Sequence, residues 1–453
     1  MLTDARTISY AYALLLTGCI STGIRDDLTL VRDLSAAADL PEVAGPVQDS
    51  PTEIVDGILG QPLDADSAVR VAMLNNRELR ASLRELGIAR SRVLTAGLLP
   101  NPSFDLEFNP ERQTGLEIRV EWDVAGLVLA PLRAEAAGAD LDAARFDLAG
   151  HVIATGYRVR SSFYDMQAAQ ERLELMERSL DASAAARDAA RALAAAGNLR
   201  ALDLSAREAE YEEERVKVAE AALSAVVARE DVQRLLGLHG DAMAWTIQGR
   251  LPEAPLDRSA LDDVERSALD ASLELRAMRS QMTAAARRAG LARVEGVLPE
   301  ILVDVHALVG DPAAPDALAI GGGVGVRLPL FDRGDGRVAE YEHELDAAFE
   351  RYVGAAIDVR SEARTARARF TSSAERVRHY REVVLPARQR VLDETLLQYN
   401  AMQVSIFELL EALRERQRAE LDAIDTRAEH MRSAALLDAL LAGHRGAASQ
   451  GEP

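Results

Sequence analysis

A single cysteine in 453 residues excludes an internal disulfide framework and leaves no thiolate pair for a zinc site. Aromatic residues make up only 4% of the chain. That supplies too few large side chains to fill a wide globular core. The abundance of Ala, Leu, Glu and Arg points instead to long packed helices. No apolar run approaches the roughly 20 residues of a spanning helix, so any membrane crossing would have to use strands. Positive charge is in short supply as well. A formal net charge of −21 repels phosphate and disfavours a nucleic-acid partner. The seven histidines are scattered without HxxxH or HExxH spacing, and no GxSxG precedes a helix. GGGVGV at 321–326 runs into strand and lacks the phosphate-loop lysine; it reads as a thinned strand facing a crowded lumen. His343 with Glu344 and Asp346 reads as solvated helix surface. No catalytic residue, cofactor or metal site is expected.

Near the N-terminus a short apolar run, AYALLLTG (11–18), ends at Cys19. The segment LTGC resembles the lipobox of bacterial lipoproteins. It predicts a signal peptide over 1–19 and a lipid on Cys19; an ordinary signal peptide with an incidental cysteine remains open. Residues 20–63 carry scattered Pro, Asp and Gly and read as an extended N-terminal arm; 444–453 read as a disordered tail.

Between them the chain is written twice, over 64–245 and 257–443. Each half has a helical segment closed by proline (Pro100-Asn101-Pro102; Leu298-Pro299), then two strands with period-two alternation, then a long helical hairpin. The first strands, 103–109 and 115–123, place Phe104, Leu106, Phe108, Leu116, Ile118, Val120 and Trp122 on one face. The second pair is expected at 300–309 and 319–330, joined by a loop over 310–316. The hairpins break at Gly197-Asn198 and near Asn400. AAAGNLRALDL (194–204) aligns over YNAMQVSIFEL (399–409), pairing Asp203 with Glu408 in a register expected to hold to the end of each half.

Helix over 127–195 would reach about 100 Å, longer than any compact domain accommodates. Candidate core positions Leu141, Leu148, Val152, Val159, Phe163, Met166, Leu173, Met176 and Leu180 step by three, four or seven. Leu202, Ala209, Val216 and Leu223 step by seven, as helices lying side by side require. The strands bear on what such helices are for. A lone hairpin is marginal in water, and hydrocarbon admits strands only as closed barrels. Four strands per chain are too few to close, whereas three copies give about twelve.

The residues resemble the TolC-like outer membrane factors, exit ducts of tripartite efflux pumps and type I secretion systems. The resemblance rests on AGLLPNPSFDLEF (96–108), VRLPLFDRG (326–334), the duplicated order, and the ends LLGL (235–238) and LLAG (440–443). It implies a mainly α fold with a small β part: a homotrimeric α-helical barrel in the periplasm joined to a 12-stranded outer membrane β-barrel, four strands per chain. It also implies a periplasmic adaptor (membrane fusion) protein and an inner-membrane pump as partners. Carried over by position, Asp203, Glu408 and Glu411 would ring the periplasmic aperture, with Met402 where the family has glycine. Gly197, Leu199, Arg200, Met402, Val404 and Ser405 would be adaptor-docking tips. The seven apolar strand residues would face outer membrane lipid. Two other readings stay open: a lipid-tethered or soluble periplasmic coiled-coil scaffold without a pore, and the same duct serving protein secretion.

Overall fold

The computed structural model describes residues 25–38, 40, 52–109, 115–253, 261, 263–311 and 314–445. Cys19 and the signal segment lie outside them. The elements are α1 (Arg25–Ser35), α2 (Thr52–Leu59), α3 (Ala65–Asn75), α4 (Arg77–Ala96), β1 (Ser103–Asn109), β2 (Gly115–Asp123), α5 (Gly126–Ala195), α6 (Ala201–Leu236), α7 (Val264–Ala271), α8 (Leu273–Val297), β3 (Glu300–Asp311), β4 (Ala314–Arg327), α9 (Asp335–His379), α10 (Leu385–Asn400) and α11 (Ile406–Leu441). Strand, strand, long helix, break, helix occurs in each half.

The chain divides into two compact units that cut across the halves. One holds the sheet with Arg84–Phe146 and Arg276–Val353; the other holds Val31–Leu83, Asp147–Leu275 and the chain from Gly354 onward.

In the first unit the four strands form one antiparallel sheet in the order β1-β2-β3-β4. Their register carries one apolar face across all of them. Leu106 lies opposite Ile118, Ile118 opposite Ala307, and Ala307 opposite Ile320. Alternate positions carry Asp105, Arg119, His306 and Gly321 on the other face. β1 and β4 are outer strands, each paired on one side within the chain. The second hairpin differs from expectation: β3 runs on to Asp311 and β4 begins at Ala314, so the loop is much shorter than 310–316. Strand pairing wins over the Pro/Gly/Asp composition there. At its far end β4 stops at Arg327, because Pro329 cannot donate to a ladder; the Leu330 N–H turns back to the Leu328 carbonyl at 2.9 Å.

Where it is described, the predicted extended arm is helical over Arg25–Ser35 and Thr52–Leu59, and extended only near Leu63, which bridges to Ile247. In α1, Asp27, Val31 and Ser35 recur every four residues and are buried. Arg145 explains the buried acid: its Nε donates to Asp27 Oδ1 at 2.9 Å, and Arg90 Nη1 lies 3.6 Å away. A charge at the buried position hides the helical pattern from a hydrophobicity reading.

In the second unit, paired helix junctions repeat the duplication in atomic detail. α3 gives way to α4 at Asn76, whose Oδ1 accepts from the Leu79 N–H at 2.9 Å while its Nδ2 donates to the Leu235 carbonyl at 2.7 Å. α7 gives way to α8 at Ser272, whose Oγ accepts from the Leu275 N–H at 3.3 Å. Against these junctions the long helices end in left-handed glycines, Gly237 (φ 69°) and Gly443 (φ 104°). A Cβ on Gly237 would come within 2.7 Å of the Asn75 carbonyl oxygen. Both helices end in the expected register, at Leu236 and Leu441, and only the closing glycine falls one place later in the second half.

Helix packing corrects two further expectations. Leu141, Leu148, Val152, Val159, Phe163 and Met166 are buried, but Leu175 takes the core place expected of Leu173 and Met176. The heptad row Leu202, Ala209, Val216 and Leu223 is exposed on the single chain. The long second helix is also interrupted: Tyr380–Val384 form a π turn in which the Leu385 N–H reaches the Tyr380 carbonyl. Pro386 follows at once and has no N–H of its own, so the wider turn relieves the clash of its ring with the preceding turn.

Candidate functional site

The two hairpin tips have the same backbone. At the first, the Gly197 N–H donates to the Ala194 carbonyl (2.9 Å) and the Asn198 N–H to Leu193 (2.9 Å). At the second, the Met402 N–H donates to Tyr399 (2.9 Å) and the Gln403 N–H to Gln398 (2.9 Å). Both are Schellman closures, which place the residue after the helix in the left-handed region. Gly197 (φ 76°) fits without strain, whereas Met402 (φ 57°) is the one non-glycine residue with positive φ among the described residues. It is also 94% exposed. A side chain held there costs of order 1 kcal/mol. Met402→Gly is therefore expected to stabilise the second tip by about that amount, and Gly197→Ala to weaken the first equally. Amide hydrogen exchange at residues 398–404 of intact protein measures the first effect; unchanged exchange rates would count against strain at Met402.

The three aperture candidates lie close behind the tips, each with a partner inside the chain. Asp203 and Glu408 both occupy the third position of their helices, where negative charge meets unpaired N–H groups. Glu408 closes a capping box. Its Oε2 accepts from the Ser405 N–H at 2.7 Å, while Ser405 Oγ accepts from the Glu408 N–H at 3.4 Å. Arg200 stands at the matching cap position of the first tip and reaches Asp203 with Nε at 2.8 Å and Nη2 at 3.0 Å. These hydrogen bonds and the carboxylate charge raise the Arg200 pKa above its ordinary value. Glu411 Oε2 accepts from Arg414 Nη1 at 3.3 Å.

Behind them is a cluster the sequence did not disclose. Arg207 Nη1 donates to Glu210 Oε2 at 2.6 Å, and Arg414 pairs with the same carboxylate. The Arg207 guanidinium also lies 5.1 Å from the Phe407 ring centroid. Burial, then the neighbouring Arg207, pulls the Arg414 pKa below its ordinary value. Nothing in the spacing distinguishes Arg207 and Arg414 from the many solvated arginines. Of the remaining tip residues, Leu199 and Val404 are half-buried and Ser405 is exposed.

The apolar sheet face forms the second candidate surface. Phe104, Leu106, Phe108, Val120, Val305, Ile320 and Val324 are all exposed, and Leu116 is at the border of exposure. Ile118 and Trp122 are half-buried, the indole N–H donating to the Pro100 carbonyl at 2.8 Å. Among the described residues no helix is long and apolar enough to cross a membrane. On the opposite face His306 Nδ1 lies 2.9 Å from Asp304 Oδ2.

This sheet, its helical hairpins and their order are those of the TolC-like outer membrane channels, whose fold the chain has. It superposes on the outer-membrane channel OprN with a TM-score of 0.69 at 18% identity, covering 91% of this chain and 95% of that one. The Campylobacter jejuni CmeC outer membrane channel gives a TM-score of 0.70 at 15% identity, with 92% of each chain covered. In sequence the chain is 24% identical over 393 residues to the cobalt-zinc-cadmium resistance protein CzcC of Cupriavidus metallidurans, covering 84% of this chain and 90% of that protein. No family model matches the chain.

Proposed function

We propose that this chain is the outer membrane exit duct of a tripartite efflux system. Three copies would close their strands into a barrel in lipid, while their helices line a periplasmic passage from an adaptor and an inner-membrane pump. The observation that carries this reading is the sheet: one face apolar throughout and largely exposed, with both outer strands open. In water such a face and such edges are a liability; in lipid the face is satisfied, and a neighbouring copy satisfies the edges. The exposed row Leu202, Ala209, Val216 and Leu223 supports the same assembly, because it needs a second helix surface to cover it. The likeness to a cobalt-zinc-cadmium resistance protein favours divalent metal cations as cargo. Transport would be passive, with the pump supplying the work.

At the narrow end, three copies each of Asp203, Glu408 and Glu411 would form rings whose field attracts cations. Neutralising Glu408 and Glu411 together (Glu408→Gln with Glu411→Gln) tests this in planar bilayers. Cation preference over chloride is expected to fall at least about twofold, with the channel still conducting. Unaltered selectivity would remove the aperture assignment and leave the duct intact. A protein that stays in buffer without detergent and never conducts would instead support the coiled-coil scaffold.

A further inference from the structure

The polar face of the sheet holds an arrangement that neither a lipid-bound barrel nor a passive wall requires. His306 and Asp304 point to the same side of β3, joined by the 2.9 Å contact between Nδ1 and Asp304 Oδ2. A carboxylate oxygen can only accept, so the Nδ1 proton belongs to this bond, and in the neutral imidazole Nε2 carries the lone pair. On β4 the residues opposite are Gly321 and Gly323. A Cβ on Gly321 would overlap His306 Nε2, and one on Gly323 would overlap Asp304 Oδ1. Glycine weakens a strand interior, yet here two of them keep open the space that the free nitrogen and the second carboxylate oxygen occupy. Across on β2, Glu121 stands directly opposite Asp304, an unfavourable meeting of like charges. Arg119, opposite His306, pairs with Glu117 at 2.8 Å and also interacts with the charges of Asp304 and Glu107, so acids outnumber it here. The His306 side chain is 37% exposed, so solutes can reach it.

An imidazole oriented by a carboxylate on one nitrogen, with the other nitrogen free in a negative environment, is the outer-shell arrangement of protein metal ligands. We propose that His306 Nε2 binds a borderline divalent cation such as Zn²⁺, with Asp304 as positioning residue and the glycines as clearance. Among the described residues no group of three or more His, Cys, Asp and Glu side chains is placed to hold a metal ion together. The site therefore supplies one protein nitrogen, and water completes the coordination. Such binding is weak and quickly released, as a stepping stone for a moving ion must be. Its placement inside a lumen rests on the duct reading; the binding itself does not.

Equilibrium dialysis of detergent-purified full-length protein against zinc chloride tests the binding, with size exclusion to confirm that each variant assembles as wild type does. His306→Ala is expected to lose one zinc equivalent per chain. Asp304→Asn is expected to weaken that equivalent about 10- to 100-fold. Gly321→Ala, which retains both ligand-side residues but puts its Cβ where Nε2 sits and so displaces the ring, should also lose it. In planar bilayers zinc should reduce wild-type conductance more than that of His306→Ala, while magnesium should not separate the two. Equal zinc stoichiometry in wild type and His306→Ala overturns the proposal, and a conducting wild type would then leave the duct standing. Loss of the zinc equivalent in a protein that never conducts keeps the site and removes the duct.

Discussion

Leu106→Arg should abolish stable assembly in the outer membrane, while Glu107→Arg, one residue along the same strand, should not. Leu106 sits at the middle of β1, exposed on the apolar face and flanked by Phe104 and Phe108. An arginine facing lipid near the bilayer midplane costs about 2–4 kcal/mol per site, and a symmetric ring of three repeats the cost in each copy. Glu107 points to the other face and lies directly opposite Glu117. Arginine there would replace a repulsive pair with an attractive one. The readout is the amount of detergent-extractable trimer in fractionated outer membranes. Normal quantities of Leu106→Arg trimer would show that this face does not meet lipid, and the barrel reading would fall with it.

Gly296→Ala should be the most damaging methyl group that can be added to α8. The new Cβ would collide with the Arg333 carbonyl oxygen, which is backbone and cannot rotate away. Relief would require moving the passage from β4 into α9. That passage is pinned where Gly334 adopts φ 76° and donates its N–H to Asp332 Oδ1 at 2.8 Å, while its carbonyl accepts from Val338 at 2.9 Å. Forced overpacking of this kind costs about 1–3 kcal/mol, and more where only backbone can yield. Gly290→Ala in the same helix meets nothing within 4 Å and should stabilise by up to about 1 kcal/mol. Thermal unfolding of the detergent-purified protein compares the two. Equal midpoints for both variants would show that the packing at Arg333 is not under strain.

These glycines explain part of what made the fold legible. The LPLFDRG segment reads as a signature because it folds back against Gly296, leaving little freedom in either partner. The first hairpin was readable to the residue, since period-two alternation is unambiguous where one face is wholly apolar. The helical tips were readable because left-handed closure recurs at Gly197 and Met402, 205 positions apart in the sequence. Features that failed to show were those in which polar residues do structural work. α1 buries Asp27 where a helix pattern expects an apolar side chain. The ion pair of Arg414 with Glu210 joins residues some 200 positions apart, and no local spacing announces it. The π turn depends on a backbone adjustment to Pro386 that composition does not encode.

The open outer strands carry a further consequence for the cell. In the proposed ring of three, each copy's β4 would complete its neighbour's β1, so one subunit with a defective β1 or β4 leaves the whole ring unclosed. When sound and defective chains are made in equal amounts and mix freely, only about one ring in eight escapes the defect. Substitutions confined to those two strands should therefore behave as dominant poisons of the intact gene product, whereas truncations that never fold should be silent.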